Sequence, residues 1–213
     1  MRAPEELRTL LAIGDAVVNG VLSALAPLRF AEAEDQRERE CAFRMRYRAV
    51  VERGMAAADA FADGLEQDEF DSRAIHVLAW DDDRPVGTCR LTLPVEGRPL
   101  PIERDFGVSL ERPAVTVEVG RMVIDPDYRG DGHGTFMGLA SRGWLCMRAR
   151  GLTEVVASTP PRLVALFESL GFAVTALGPS RVHWGEERTP FYCDTLATIP
   201  RIQQLWAEMR AKG

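Results

Sequence analysis

Residues 115–148 constrain the fold of this chain more than any other segment, because a buried strand, a glycine-rich loop and a helix follow one another there. Apolar β-branched residues alternate with other residues before the loop, which predicts a strand covered on both faces. Helical spacing of apolar residues after the loop predicts a helix. The residues that carry these patterns are Val115, Val117, Val119 and Val123 in the strand, and Phe136, Ala140, Trp144 and Met147 in the helix.

The loop between the predicted strand and helix is suited to bind an anion. Its glycines let successive backbone N–H groups turn toward one point, and the helix that follows adds the positive end of its dipole. A tight strand-to-helix connection explains the glycines of the loop equally well. The spacing fits neither a Walker loop, which continues with Lys-Ser or Lys-Thr, nor a dinucleotide-binding turn. The loop residues are Arg129, Gly130, Asp131, Gly132, His133, Gly134 and Thr135.

This loop resembles the Arg-x-x-Gly-x-Gly loop of the GNAT acyltransferases, with Arg129, Gly132 and Gly134 at its fixed positions. In that family the loop cradles the pyrophosphate of coenzyme A. Residues 121–126 and 166–172 also resemble the strand before the loop and a later helix-to-strand junction of that family. The resemblance implies an α/β GNAT fold, in which a mixed central sheet carries helices on both faces.

Composition restricts the class of protein. A chain of 213 residues with 46% hydrophobic residues is long enough for one sizeable core, so we expect one GNAT-like domain at residues 35–213 after a helical extension at residues 1–34. The net charge of −6 argues against nucleic acid as a partner. Four scattered cysteines predict reduced thiols in a cytoplasmic protein, and three isolated histidines predict no metal site. We also expect no integral membrane segment, because the longest apolar run is too short.

Periodicity and turn residues predict the remaining elements. We expect the helix at residues 5–26 to be a packing or dimerisation arm rather than a membrane-surface helix, because few Lys or Arg residues flank it. Residues 54–67 predict a partly helical, mobile loop near a substrate opening, and residues 94–114 a long irregular connection. The other predicted helices start near residue 35 and span 160–170 and 199–209, and the other predicted strands span 74–80, 86–93, 153–157, 171–176 and 189–196.

Two charged residues on the central strand suggest acid–base chemistry. Glu118 and Arg121 would point to opposite faces of a regular strand, because an odd separation reverses the side-chain direction. A bulge at residues 119–120 would bring them to one side. A part-buried carboxylate there can deprotonate an amine or align the water that does so, and a structural ion pair with Arg121 is the alternative.

Four segments resemble successive motifs of the acyl-homoserine-lactone (autoinducer) synthases and of the long-chain N-acyl amino acid synthases. They are FRMRY at 43–47, EQDEFD at 66–71, VGTCRL at 86–91 and EVGR at 118–121. The resemblance covers residues 40–195 and implies transfer of a fatty acyl group to the amine of a small amino-acid-like acceptor. The acyl donor would be the phosphopantetheine of acyl carrier protein or an acyl-CoA, and a homodimer stays open. The positions that match family residues are Arg46, Asp68, Asp71, Arg90, Glu118 and Arg121.

The resemblance assigns roles to these positions. Glu118 would act as the base, and a backbone N–H near Met122 or Val123 would stabilise the oxyanion. Asp68, Asp71 and Arg90 would hold the N-terminal helix and loop over the acceptor, although a surface salt-bridge cluster explains these three equally well. Arg46 matches the arginine of the N-terminal helix and would belong to the same acceptor-binding set.

Three departures from the family motifs limit the assignment. Val50, together with Met55 or Ala56, replaces the aromatic residues that order the acceptor loop in the lactone synthases, so the acceptor need not be S-adenosylmethionine. Phe167 replaces the tyrosine with which many GNAT enzymes protonate the leaving thiolate.

We further expect Trp144, Phe167 and Phe172 to be core residues rather than walls of an acyl tunnel. The alternatives are an acetyl-CoA-dependent N-acetyltransferase and a non-catalytic module that binds acyl-CoA.

Overall fold

The structure is a computed structural model that describes residues 4–130 and 133–212. Its helices are α1 (Pro4–Ala24), α2 (Gln36–Glu52), α3 (Pro101–Phe106), α4 (Gly134–Arg148), α5 (Pro161–Ser169) and α6 (Thr195–Lys212). Its strands are β1 (Arg29–Glu32), β2 (Ala74–Asp81), β3 (Arg84–Thr92), β4 (Thr116–Ile124), β5 (Glu154–Thr159), β6 (Val174–Ala176), β7 (Arg181–His183) and β8 (Glu186–Cys193).

The strands form one mixed sheet in the order β1-β2-β3-β4-β5-β8-β6, with β7 paired to β8. Strands β4 and β5 run parallel, and the other neighbours are antiparallel. Helix α2 covers one face of the sheet, where Met45 packs against Leu78 and Trp80. Helix α4 covers the other face, where Leu139 and Met147 belong to the main core. The prediction of a mixed sheet with helices on both faces is therefore confirmed.

Helix α4 lies unusually close to the sheet because two glycines remove side chains from the contact. A Cβ at Gly138 would lie 2.1 Å from the ring of Phe30 on β1. A Cβ at Gly87 on β3 would lie 3.1 Å from Thr135, which is fully buried at the start of α4. This close packing fixes the start of α4 against the strands that carry the charged residues described below.

The sheet opens between β4 and β5. These strands pair only through Thr116–Glu118 of β4 and Glu154–Val156 of β5. Within the described residues, the rest of β4 has no partner on that side, whereas β5 continues to pair with β8 as far as Thr159. The two strands therefore leave a cleft whose floor begins at Glu118, and backbone groups of β4 beyond that residue face it.

The predicted bulge exists, but it lies one to two residues later than we expected. Thr88 on β3 faces Val123, whereas Arg90 faces Gly120, so Arg121 and Met122 together oppose one residue. Arg121 has a positive φ of 51°, which places the extra residue there rather than at residues 119–120. The prediction located the bulge at the glycine, but the arginine adopts the left-handed conformation.

Three elements are absent from the predictions. Strand β1 extends the sheet beside β2, and β7 forms a hairpin with β8. Helix α3 lies inside the segment expected to be irregular, and it begins at Pro101, whose fixed φ favours a first helical turn. The side chain of Glu103 accepts a hydrogen bond of 2.9 Å from the backbone N–H of Leu100 and caps this helix. A six-residue helix among four prolines has too little periodicity to be recognised from sequence.

Helix α1 packs on the domain, against α4 and α6. Asp15 accepts a hydrogen bond of 2.7 Å from the indole N–H of Trp144 on α4, and it also pairs with Arg148. The division at residue 34 stays a prediction, although β1 lies before that boundary and pairs with β2. By length and composition, Glu5–Ala24 is also a candidate membrane span, with a mean hydropathy of 1.3. A single helix of this kind is weak evidence, because core helices and signal sequences share these properties.

Candidate active site

The cleft between β4 and β5 opens into a cavity of about 600 Å³. Its polar end is lined by Glu118 and Arg121 of β4, Asp105 of α3, and His183 and Trp184 of the β7–β8 hairpin. Its apolar walls come from helices α1, α4 and α5 and include Val17, Val21, Phe136, Leu139, Ala140, Trp144, Met147, Leu163 and Phe167. The cavity thus joins a small charged end to a long apolar region.

Glu118 lies at the charged end with only 8% of its surface exposed. Its carboxylate accepts a hydrogen bond of 2.7 Å from the backbone N–H of Ile102, at the start of α3. Burial raises the pKa of Glu118 to about 7, while the hydrogen bond from Ile102 and the charges of Arg90 and Arg121 oppose that rise. A carboxyl group with a pKa near neutrality can accept a proton at physiological pH and release it again, as a general base must.

The bulge in β4 turns Arg121 toward the same face as Glu118. Arg121 does not pair with Glu118. Its Nε donates to Glu66 at 3.0 Å, and one terminal nitrogen donates to Asp68 at 3.0 Å. The guanidinium also lies 4.6 Å from the ring centre of Trp184. The ion pair between Glu118 and Arg121 that the sequence offered as an alternative is therefore not formed in the described structure. The Glu118 carboxylate stays available for chemistry.

Three arginines and three acids form a closed ring of ion pairs beside the cavity. In chain order the members are Arg46, Glu66, Asp68, Asp71, Arg90 and Arg121. Arg46 binds Asp71 through two hydrogen bonds of 2.8 and 3.0 Å and also pairs with Glu66. Arg90 donates to Asp68 at 2.7 Å and to Asp71 at 3.1 Å. Because each acid touches two arginines, no member of this ring can move alone.

Three members of the ring are buried and the other three are partly buried, so the interpretation as a surface salt-bridge cluster is wrong. Arg46 and Glu66 are each 1% exposed, and Arg90 is 2% exposed. Burial raises the pKa of Asp71, but the hydrogen bonds and charge of Arg46, together with Arg90, outweigh it and hold that pKa well below its usual range. The ring ties α2 and the 66–71 segment to strands β3 and β4, and it fixes Arg121 at the edge of the cavity.

The sequence reasoning missed Glu66 as a member of this ring. Glu66 lies two residues before Asp68, inside the segment that carries the family resemblance, and its backbone N–H donates to the carbonyl of Phe43 on α2 at 3.3 Å. Four acids within six residues, three of which pair with arginines of the ring, were the available signal. Asp105, His183 and Trp184 at the charged end of the cavity were also missed, because α3 and β7 were not predicted.

The predicted donor-binding residues separate into three groups. Met122, Val123, Arg129 and His133 line the cavity. Among the described residues, Gly130, Gly134 and Thr135 do not line the cavity. Gly130 has open space around it, and Thr135 is buried against β3. The remaining loop positions, Asp131 and Gly132, lie outside the described residues.

The loop is shaped by contacts at its two ends. Arg129 donates from Nε to the carbonyl of Ile124 at 2.9 Å, which folds the arginine back over the end of β4. His133 has a φ of 70° and precedes the first residue of α4. His133 lines the cavity, so this fifteen-residue helix begins next to the cavity wall, and its dipole favours an anion at that end.

Three aromatic residues that we expected in the core pack against it, but they also line the cavity. Trp144, Phe167 and Phe172 all contribute to its wall. Phe136 stacks on Phe167, with ring centres 5.4 Å apart, and meets Phe172 edge-on. The expectation holds only in part, because helical spacing marks a residue that faces inward but does not distinguish a packed core from the wall of an internal cavity. Over residues 4–130 and 133–212, no group of three His, Cys, Asp or Glu residues could hold a metal ion.

Solved structures of two acyl-homoserine lactone synthases are similar to this one. The structure of the CoA-dependent acyl-homoserine lactone synthase BjaI, solved with SAM and isopentyl-CoA, is similar with a TM-score of 0.68 and 22% identity over 83% of this chain and 87% of that chain. The AHL synthase LasI is similar with a TM-score of 0.64 and 17% identity, over 81% and 93% of the two chains. No protein with a curated description matches the sequence significantly.

A third similar structure is FeeM, an N-acyl amino acid synthase from uncultured soil microbes. The TM-score is 0.63 at 16% identity, and the similarity covers 82% of this chain and 94% of that chain. At these identities the three structures establish the acyltransferase fold. The sequence model of the N-acyl amino acid synthase FeeM matches residues 41–184, which are more than half of the chain and include the complete ring and Glu118. The chain therefore belongs to the FeeM family of N-acyl amino acid synthases, and it is an N-acyltransferase.

Proposed function

We propose that this protein transfers a medium- or long-chain acyl group from a thioester donor to the amine of an amino acid. The observation that carries the proposal is the cavity of about 600 Å³, which leads from Glu118 into apolar walls on α1, α4 and α5. A volume of this size lies within the range of about 300–1,000 Å³ that is typical of pockets for sizeable organic ligands. An acetyl group would leave most of the apolar region empty, so the cavity favours a long acyl chain over acetyl-CoA.

In the proposed reaction Glu118 removes a proton from the acceptor amine, either directly or through a water molecule. The amine nitrogen then attacks the thioester carbonyl, the N–C bond forms, and the C–S bond breaks. The ammonium form of the acceptor loses two protons in all: Glu118 takes the first before the attack, and the second leaves nitrogen as the N–C bond forms and protonates the departing thiolate. The products are an amide, a thiol and one proton, which Glu118 releases to water. The pKa of Glu118, raised by burial to about 7, suits this role, because it matches the operating pH of an enzyme near neutrality.

Backbone N–H groups near Met122 and Val123 are proposed to stabilise the oxyanion of the tetrahedral intermediate. Both residues line the cavity, next to the bulge and on the part of β4 that has no β5 partner. A free backbone N–H in a cleft that excludes water is a strong donor to a developing charge. The donor phosphates are proposed to bind at residues 129–135, with Arg129 and the N-terminus of α4.

The ring of ion pairs is proposed to position the site rather than to take part in chemistry. Arg90 and Arg121 of the ring line the cavity, whereas Arg46, Asp68 and Asp71 stand behind them. Similarity to the CoA-dependent BjaI supports acyl-CoA as the donor. Acyl carrier protein as donor, a homodimer and a cytoplasmic location remain predictions from the sequence.

Purified protein incubated with a mixture of amino acids and either acetyl-CoA or a long-chain acyl-CoA tests the proposal. Thiol release and mass spectrometry of the product are the measurements. We expect amide formation with the long-chain donor, a loss of about 10²- to 10⁴-fold in Glu118→Gln, and no loss in the exposed control Glu96→Gln. Turnover restricted to acetyl-CoA would favour an acetyltransferase, and donor binding without any turnover would favour a binding module.

A further inference from the structure

Four of the arginines that line the cavity do not have equal numbers of acidic partners. They are Arg53, Arg121, Arg162 and Arg188. Arg121 is neutralised by two acids of the ring. Arg188 on β8 pairs with Glu186, which lies 3.8 Å from Arg162 as well. Arg53, which follows the last residue of α2, forms no side-chain hydrogen bond or ion pair with any residue that the structure describes. The positive charge of these four arginines therefore exceeds the negative charge of the acids that pair with them.

Among the arginines that line the cavity and lie outside the ring, Arg188 is the least exposed. Its side chain is 21% exposed, and its Nε is buried without a hydrogen-bond partner. Burial lowers the pKa of Arg188, and the nearby charges of Arg121 and Arg53 lower it further, against the opposing effect of Glu186. An unpaired buried donor and two neighbouring like charges are both unfavourable, and a bound anion would relieve both.

The shape of the charged end limits which anion would fit. Glu118 and Asp105 lie at the same end, and Trp184 closes it from the tip of the β7–β8 hairpin. Trp184 has a φ of 55°, an unfavourable value for a bulky residue, and it is followed by Gly185 at 73°. These two residues form the tight hairpin turn that holds the indole against Arg121. Acids beside arginines with unused donors, the Nε of Arg188 and the guanidinium of Arg53, complement a ligand that carries an ammonium and an anionic group close together, as an α-amino acid does.

We propose that Arg188, with Arg53 beside it, binds the α-carboxylate of the acceptor amino acid. This inference rests on the proposed function, because it assumes that Glu118 deprotonates the amine on the same carbon. The planar guanidinium of arginine pairs with a carboxylate through two parallel hydrogen bonds, and its Nε is one of the donors that can form them. The donor phosphates are assigned to a different segment, residues 129–135. Arg188 lies four residues beyond the segment that matches the FeeM family model.

The test compares three acceptors with the same side chain: an amino acid, its α-amide and the corresponding decarboxylated amine. Each is used with one long-chain acyl-CoA and four proteins: the natural sequence, Arg188→Gln, Arg53→Gln and the control Arg84→Gln. Arg84 is exposed, pairs with Asp125 and does not line the cavity. The measurements are kcat and KM for each acceptor, KM for the donor, and the far-UV circular dichroism of each variant.

We expect the natural sequence to prefer the free acid over its amide by about 10- to 100-fold in kcat/KM. Arg188→Gln should abolish this preference by raising KM for the acid, with KM for acyl-CoA and kcat on the amide unchanged. Arg53→Gln, at an exposed position, should reduce the preference without any effect on folding, and Arg84→Gln should retain it.

Equal use of acid and amide by the natural sequence, or an unchanged preference in both Arg188→Gln and Arg53→Gln, would overturn the inference and leave the proposed function intact. A rise in KM for acyl-CoA alone would show that Arg188 binds donor phosphate, which also overturns it. Absence of acyl transfer to all three acceptors would refute the proposed function, and this inference with it.

Discussion

The buried carboxyl group of Glu118 makes the stability of this protein depend on pH in a direction opposite to that of most acids. Replacement of Glu118 by Gln removes the ionisable group but keeps an oxygen that can accept the hydrogen bond from the Ile102 N–H, now 2.7 Å long. The variant therefore isolates the effect of the charge. Its free energy of unfolding, compared with that of the natural sequence over a range of pH, reports the environment of Glu118 directly.

The magnitude follows from the pKa. Burial raises the pKa of Glu118 from 4.5 to about 7 in the folded protein. The folded state therefore binds this proton more tightly than the unfolded chain does, and the free energy of unfolding falls as the pH rises through this window. At about 1.4 kcal/mol for each pH unit, the loss amounts to about 3 kcal/mol between pH 4.5 and pH 8.

Urea denaturation at several pH values between 4.5 and 8, followed by circular dichroism, measures this difference. The free energy of unfolding of Glu118→Gln, minus that of the natural sequence, should increase by about 3 kcal/mol across this range. Contributions from other titrating groups cancel in the difference, because both proteins contain them. A difference that stays constant with pH, or that decreases, would show that Glu118 is ionised at little cost in the folded state, and the argument for its role as a base near neutrality would fail.

Three further predictions concern the cavity, the ring and the packing of α4. Ala140→Phe, which places a ring in the cavity wall, should shorten the longest acyl chain accepted, as measured by mass spectrometry with donors of graded length; unchanged chain-length preference would exclude this wall from the acyl site. Asp71→Asn should cost about 3–5 kcal/mol in urea denaturation, because it breaks a buried ion-pair ring, whereas the exposed control Asp127→Asn should cost less than about 1 kcal/mol. Gly138→Ala should lower the free energy of unfolding by about 1–3 kcal/mol through its clash with Phe30, and a stabilised variant would contradict the close contact.

The sequence predicts the elements with strong periodicity and clear turn residues. Strands β2 and β3, helix α2, strand β4 with helix α4, and strand β5 are confirmed. These segments form where local preference and burial agree, so their patterns are legible without the rest of the fold. Strand β1 has four residues and β7 has three, and both depend on pairing with distant strands for their conformation.

The candidate site could be predicted only in part, and the reason is geometric. Glu118 and Arg121 were recognisable as a pair, but the side to which each points depends on a bulge whose exact position is set by the register with β3. Arg90 and Asp71 were recognisable from the resemblance, but their closure into a ring requires Glu66, and such a three-dimensional contact has no sequence period. Arg188 has no motif at all, and its place at the charged end depends on the β7–β8 hairpin.

The sequence did not predict the cavity. Aromatic residues at helical spacing indicate an inward-facing position, and the sequence does not reveal whether that interior is filled. Here the pairing of β4 with β5 stops after three residues, and residues of α1, α4 and α5 line a cavity beside the core. Phe167 and Trp144 pack against core clusters and also form part of the cavity wall.

The central claim is that the chain makes N-acyl amino acids with Glu118 as the base. Mass spectrometry of lipid extracts from a bacterial host that expresses the natural sequence, compared with hosts that express Glu118→Gln or carry no gene, tests it most directly. We expect new N-acyl amino acids with long acyl chains only in the first host, and their masses would identify both the acceptor and the chain length. Equal amounts of the same products in the first two hosts would contradict the role of Glu118, and extracts identical to the empty host would contradict the proposed activity.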